Sequence, residues 1–197
     1  MSDPRLYLVT PRLSEGATFA PLLEAALTAA PVACVRLRCA DGEEATARAV
    51  AGPLREICAA RDVALVLTGH PELVKQLKLD GVHLPGPKLA VAEARKLLGP
   101  DAIVGAWAGV SKHAAMNAAE AGADYVAFGP VAAAELPELL EWWDEAIVTP
   151  SVTEGGVDAA AIDRLIGVSD YFAADEAVWS HPEGPAAGLH ALASRFG

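Results

Sequence analysis

The chain has 197 residues, 53% of them hydrophobic and 21% charged, and its 15 basic against 26 acidic side chains give a net charge of -11. Such hydrophobicity excludes a disordered chain, which combines low hydrophobicity with high charge. The acidic balance argues against nucleic acid or an anionic membrane surface as a partner, because both require basic patches.

The length suits a single domain over residues 1–197. Short apolar runs alternate with longer Ala-rich amphipathic segments. Leu6–Val9 reads as a first strand, and residues 17–30 as a helix with Phe19, Leu22, Leu23 and Leu27 at helical spacing. Val35–Leu37 is a second strand. Residues 45–60 form a helix that Gly52-Pro53 should bend or split. Ala64–Leu67 is a buried strand, followed by a short helix over Pro71–Leu77, a strand over Gly81–Leu84 and a helix over Val91–Leu98. Ile103–Ala106 is a strand, with a helix from Ser111 as its N-cap. Tyr125–Phe128, residues 150–153 and Tyr171–Ala174 are the remaining strands. Helices follow them at 136–145, 158–166 and 185–196.

No two strands are joined by a tight hairpin, so the alternation implies parallel pairing through helical crossovers. Eight strand–helix units close naturally into a (β/α)8 barrel; an open doubly wound sheet is the alternative. The N-terminal apolar run is shorter than the roughly 7–15 residues of a signal-peptide core. No run approaches the roughly 18 apolar residues of a membrane span. Cys34, Cys39 and Cys58 are odd in number and form no CxxC pair. They suggest neither a disulfide framework nor a zinc site, and free buried thiols fit a reducing, cytoplasmic location.

A parallel barrel carries its site at the carboxyl ends of its strands. Few polar residues fall there. Arg36 and Arg38, two apart, share one face of strand two. Burying them requires either a bound anion or internal carboxylates such as Asp175 or Glu176. Strand three ends at Thr68-Gly69-His70, and strand four at His83 before Pro85-Gly86-Pro87-Lys88. His83 and His70 could form an acid/base pair, or each could be a hydrogen-bonded structural histidine. Gly155-Gly156 precedes a helix and is either a phosphate cradle or a plain turn. Trp142-Trp143 should supply core or interface area.

Several strings, in order, resemble the family of thiamine phosphate synthase and its relative, the thiazole tautomerase. They are Leu6-Tyr7-Leu8-Val9-Thr10, Val35-Arg36-Leu37-Arg38, Asp80-Gly81-Val82-His83-Leu84, Gly122-Ala123-Asp124-Tyr125-Val126, Phe128-Gly129-Pro130 and Gly155-Gly156-Val157. The resemblance spans nearly the whole chain and implies a (β/α)8 barrel. It also implies a transferase that joins a pyrimidine methyl diphosphate to a thiazole phosphate, with Mg2+ and cations stabilising the departing pyrophosphate.

The departures fall at the family's chemical positions. Its Gln-x-Arg-x-Lys on strand two is here Arg36, Arg38 and Ala40. Its Asn-Asp after strand three, the Asp a metal ligand, is Thr68-Gly69. Its Gly-Gln-x-Asp turn after strand four, with the second metal carboxylate, is Pro85-Gly86-Pro87-Lys88. Its Thr-x-Thr-Lys run after strand six is replaced from Val131 onward, and its Val-Ser amides on strand eight align with Asp175-Glu176. Pro130 takes the place of the histidine of the tautomerase branch.

The resulting expectation is a family barrel with degenerate metal and pyrophosphate motifs. It should use no metal cofactor and bind a thiazole- or pyrimidine-like small molecule through Arg36, Arg38, Thr68, His83, Gly155 and Gly156. An active thiamine phosphate synthase, a tautomerase-like enzyme, or another reaction in which a histidine moves a proton are the alternatives.

Overall fold

The computed structural model describes residues 5–41, 44–86 and 90–197. Pro87 and Lys88 of the turn after strand four lie outside the described residues. The strands are β1 (Arg5–Leu13), β2 (Cys34–Cys39), β3 (Ala64–Thr68), β4 (Gly81–Leu84), β5 (Ile103–Gly109), β6 (Tyr125–Phe128), β7 (Ser151–Glu154) and β8 (Tyr171–Ala174). Each is parallel to its neighbours, and β8 pairs with β1 through Arg5↔Tyr171 to Leu8↔Ala174. That pairing closes the barrel and excludes the open sheet.

The helices are α1 (Ala20–Ala29), α2 (Glu44–Ala59), α3 (Pro71–Leu77), α4 (Val91–Leu98), α5 (Lys112–Glu120), α6 (Leu136–Ala146), α7 (Ala159–Leu165), α8 (Glu176–Trp179) and α9 (Pro185–Ala193). Ser111 caps α5 as expected, its Oγ accepting from the Ala114 amide at 3.2 Å. Pro53 lies inside an uninterrupted α2, so the expected split does not occur. Proline costs the helix one hydrogen bond, and the buried face of Ala47, Val50, Ala51, Leu54 and Cys58 spans both sides of Pro53 and keeps the helix continuous.

Alternation along the strands divides the apolar side chains into two cores. Leu6, Leu8, Val35, Leu37, Leu65 and Leu67 point outward and pack with the helices in one cluster. Tyr7, Val9, Cys34, Val66, Tyr125, Ala127, Val152 and Ala173 fill the barrel interior in another. The interior is therefore built from two large tyrosines among small side chains. Gly105 makes room for this: a Cβ there would lie 1.9 Å from Cζ of Tyr125. Trp143 is buried in the outer core, its ring edge-on to Phe128 and its indole N–H donating to the Thr149 carbonyl at 2.7 Å.

Two elements depart from the sequence expectation in ways that shape the mouth of the barrel. First, β1 continues past Val9 to Leu13 through a bulge: Val9 pairs with Arg36, and the ladder resumes at Arg12↔Arg38. Three residues of β1 thus span two of β2. Second, the short helix α8 follows β8 directly. Asp175 caps it, accepting from the Glu176 amide at 2.7 Å, and Trp179 anchors it by donating to the Val9 carbonyl at 2.6 Å. No helix of the described residues is long and apolar enough to cross a membrane.

Candidate functional site

Strand alternation sends Arg36, His83, Tyr125 and Glu154 into the barrel interior from four different strands. Arg36 Nη1 lies 2.5 Å from Glu154 Oε2 and 2.8 Å from His83 Nε2. His83 Nδ1 lies 3.0 Å from the Tyr125 hydroxyl, which lies 2.7 Å from the Tyr7 hydroxyl. These contacts form one connected polar chain from the mouth into the barrel.

The direction of its hydrogen bonds follows from chemistry. A guanidinium has no acceptor, so Nη1 donates to His83 Nε2. The neutral imidazole then carries its proton on Nδ1 and donates to Tyr125, whose own O–H is left for Tyr7. Burial, together with the Arg36 charge, holds the His83 pKa well below its usual value, which agrees with a neutral ring. Burial also raises the Tyr7 and Tyr125 pKa values, so both remain protonated phenols. Burial opposes the charge on Arg36, but Glu154 outweighs it and raises the pKa above the ordinary value. Arg36 is thus a permanent cation with its counterion in place.

This arrangement revises the partner expected for Arg36. It is Glu154, with the two side chains 7% and 14% exposed. Neither Asp175 nor Glu176 forms an ion pair with Arg36 or Arg38 among the described residues. The Asp175 carboxylate is turned to its own helix as a cap. Glu154, Tyr7 and Tyr125 escaped the residue-by-residue reading of the site. The usable signal for Glu154 was its position two residues beyond the inward Val152 on a strand with period-two alternation.

The other candidates separate. Arg38 lies beyond Arg36 on β2, half-buried at the rim. Its amide donates to Thr10 Oγ1 at 3.1 Å and its Nε to the Thr10 carbonyl at 2.6 Å. Burial lowers its pKa, the nearby Arg36 and Arg12 charges lower it further, and the Asp175 and Glu154 carboxylates oppose the shift without reversing it. Thr68 Oγ1 is buried without a hydrogen-bond partner among the described residues. His70 does not join His83: it sits at the start of α3 with its Nδ1 3.1 Å from Glu72. Gly155 and Gly156 have φ values of +82° and +90°. The start of α7 beyond them is already capped by Asp158, which accepts from the Ala161 amide at 2.8 Å.

Between the carboxyl ends of β1 to β4 lies a cleft of about 460 Å3, lined by Arg12, Arg38, Asp41, Thr68, His70 and Glu72 among others. The Mg2+ of the resembled family would need oxygen ligands here. The two family carboxylate positions hold Gly69 and residues of the Pro85 turn. Among the described residues no group of three or more His, Cys, Asp or Glu is placed to hold a metal ion. Neither family metal position therefore supplies a carboxylate in this chain.

A closed parallel barrel with its polar side chains gathered toward the carboxyl ends of its strands defines a (β/α)8 protein of the kind that builds small-molecule sites at that face. Residues 6–176 match the family model described as thiamine monophosphate synthase. The chain belongs to that family. It is 44% identical over 200 residues to a thiamine-phosphate synthase of Rhodospirillum centenum, covering 96% of each chain. It is 39% identical over 206 residues to one of Hyphomonas neptunium, covering 98% of this chain and 93% of the relative. A solved thiamine phosphate pyrophosphorylase from Pyrococcus furiosus shares the fold, with a TM-score of 0.86 at 21% identity over 99% of this chain and 96% of that one.

Proposed function

We propose that this family member binds a small thiamine-related molecule at the mouth of its barrel without performing metal-dependent pyrophosphate chemistry. The observation that carries the reading is the Arg36–Glu154 pair. Departing pyrophosphate is stabilised by cations aimed at its developing charge. In this barrel the central cation is neutralised from within, at 2.5 Å, and buried. A phosphate brought to it would approach the Glu154 carboxylate as well. Like charges about 4 Å apart interact by about 4 kcal/mol at an effective dielectric of about 20. That exceeds the help of a helix N-terminus, about 0.3–1 kcal/mol. The residues at the family's metal positions support the same reading.

His83 has a structural place in this scheme. Both of its ring nitrogens are engaged, one by Arg36 and one by Tyr125, which leaves no free nitrogen for a proton transfer to ligand.

The second reading is an active thiamine phosphate synthase. It is favoured by the identity of 44% across 96% of a relative that carries that name. Incubating the purified protein with Mg2+, the pyrimidine diphosphate and the thiazole phosphate separates the two. The proposed function expects no thiamine phosphate even at high protein concentration, together with calorimetric binding of thiazole phosphate or thiamine phosphate. Turnover would establish the second reading in its place.

A further inference from the structure

The end of the barrel opposite the mouth is hollow. Cys34, Ala64, Gly81 and Ile103 are the first residues of β2 to β5. Each lies two positions before an inward-facing residue, respectively Arg36, Val66, His83 and Gly105, so alternation turns all four inward. Tyr171 begins β8 in the same way, two positions before the inward Ala173. Three of these five residues are no larger than cysteine. Gly81 admits nothing larger, because a Cβ there would lie 2.0 Å from the Ile103 carbonyl oxygen. Layers of side chains ordinarily fill such an interior. Here the layer at the strand starts leaves a cup of about 200 Å3.

The walls of the cup are aromatic and nearly uncharged. Tyr7, Tyr125 and Tyr171 line it together with Cys34 and Val152. The Tyr7 and Tyr125 hydroxyls are bonded to each other at 2.7 Å, and Tyr125 also accepts from His83 at 3.0 Å. With their polar ends partnered, these two side chains offer a ligand mainly ring surface. Among the described lining residues Asp124 alone carries a charge, and its carboxylate is engaged. It accepts from the Val104 amide at 2.7 Å and from Arg95 at 2.5 Å. Among the described residues no lysine or arginine lines the cup, so an anion would meet no counterion there. Ala64, Ile103 and Tyr171 are only half-buried, which leaves apolar surface in contact with water at an unfavourable free energy.

We propose that this cup is a second binding site, for an uncharged molecule with a single aromatic ring. An apolar cavity of about 150 Å3 already accommodates benzene. The cup therefore has room for such a ring with a small substituent. Aromatic rings gain from offset or edge-on contact with one another beyond the area they bury, and three tyrosines supply such partners. The Cys34 sulfur adds a soft contact that also favours a ring. The site is independent of the proposed function, since none of Arg36, Arg38, Thr68 or His83 lines it.

Titration calorimetry with phenol, combined with thiol footprinting, tests it. Cys34 lines the cup, whereas Cys39 lines the cleft at the mouth and serves as the internal control. Burial pushes the Cys34 thiol up to about 12, so the footprint uses methylmercury rather than an alkylating reagent that needs the thiolate. Phenol should bind saturably. At about ten times its Kd it should slow the labelling of Cys34 about tenfold and leave that of Cys39 within about twofold. Benzoate, a similar ring bearing a charge, should bind on the order of tenfold more weakly or worse. Ala64→Leu fills the cup and should weaken phenol binding by on the order of tenfold. Four results would overturn the proposal: no saturable phenol binding, equal labelling rates with and without phenol at Cys34 or equal slowing of both thiols, benzoate as tight as phenol, or unchanged affinity in a folded Ala64→Leu protein. Should that variant fail to fold, the wild-type titrations and footprint decide alone. Turnover in the synthase assay would overturn the proposed function while leaving the protection of Cys34 untouched.

Discussion

Arg36 on β2 and Glu154 on β7 meet inside the barrel with Nη1 and Oε2 2.5 Å apart, although β8 and β1 separate their strands in the sheet. Each is the counterion the other needs in a buried position. Removing one partner should leave an uncompensated charge and cost about 3–5 kcal/mol. Glu154→Gln and Arg36→Gln should each lower the urea midpoint accordingly. The double variant should recover most of the loss, because both charges leave together. Strictly additive losses would mean that the two side chains are not coupled.

His83 should make stability depend on pH in a defined direction. Its folded pKa lies well below the usual value of 6.5 because burial and Arg36 disfavour the cation. Below about pH 6.5 the unfolded chain takes up a proton that the folded chain refuses, so stability falls as pH falls. The contribution is complete above the unfolded pKa and is lost at up to about 1.4 kcal/mol per pH unit below it. His83→Gln, which can still accept and donate but cannot titrate, should show a shallower slope between about pH 5 and 6.5 in matched denaturation curves. Identical slopes would place the histidine outside this role.

Gly105→Ala should act through Tyr125. The new methyl would start 1.9 Å from Cζ of the ring, so the ring must move. Displacing it also breaks the contact to His83 at 3.0 Å. Overpacking of this kind costs about 1–3 kcal/mol, and an orphaned buried donor adds about 1–3 kcal/mol. Tyr125→Phe should show the second part alone. A thermal-melt comparison in which Gly105→Ala proves no worse than Tyr125→Phe would contradict the steric account.

Trp179 ties α8 to β1. Its indole N–H meets the Val9 carbonyl at 2.6 Å, and its ring packs edge-on to Phe19 with centroids 4.8 Å apart. Trp179→Phe should keep the packing and lose the bond, at about 1 kcal/mol. Trp179→Ala should cost about 3–5 kcal/mol. Equal effects of the two substitutions on chemical denaturation would show that the bond, not the ring, carries the anchor.

The barrel was readable in the sequence because its signals are repetitive. Apolar runs such as Ala64–Leu67 and Tyr125–Phe128 alternate with amphipathic helices, and chain order alone then sets the neighbours. Arg36, Arg38, Thr68 and His83 are legible in the sequence only as polar residues on or at the ends of strands. Their partners were harder to find. Glu154 reaches Arg36 from a strand 118 residues later, and no local pattern encodes which carboxylate crosses the interior. Asp175 and Glu176 looked equally suitable until α8 turned Asp175 into a cap. Pro53 misled for a related reason: local chemistry predicts a break, and tertiary packing overrides it. Arg12 was invisible because its facing depends on a bulge, which a regular strand pattern cannot show.

That bulge also makes the mouth tolerant of one kind of change and intolerant of another. Facing along a strand is a matter of odd and even counting. The distortion at Thr10–Pro11 absorbs one residue from the count. Deleting Pro11 should straighten the ladder yet leave Arg12 opposite Arg38. Inserting one residue in a straightened ladder, by contrast, would turn the arginine toward the helix layer and bury its charge among leucines. The facing of Arg12 is therefore guarded by whether the extra residue stays absorbed in the bulge, and neither by the identity of the residue at position 11 nor by the bare count between Val9 and Arg12.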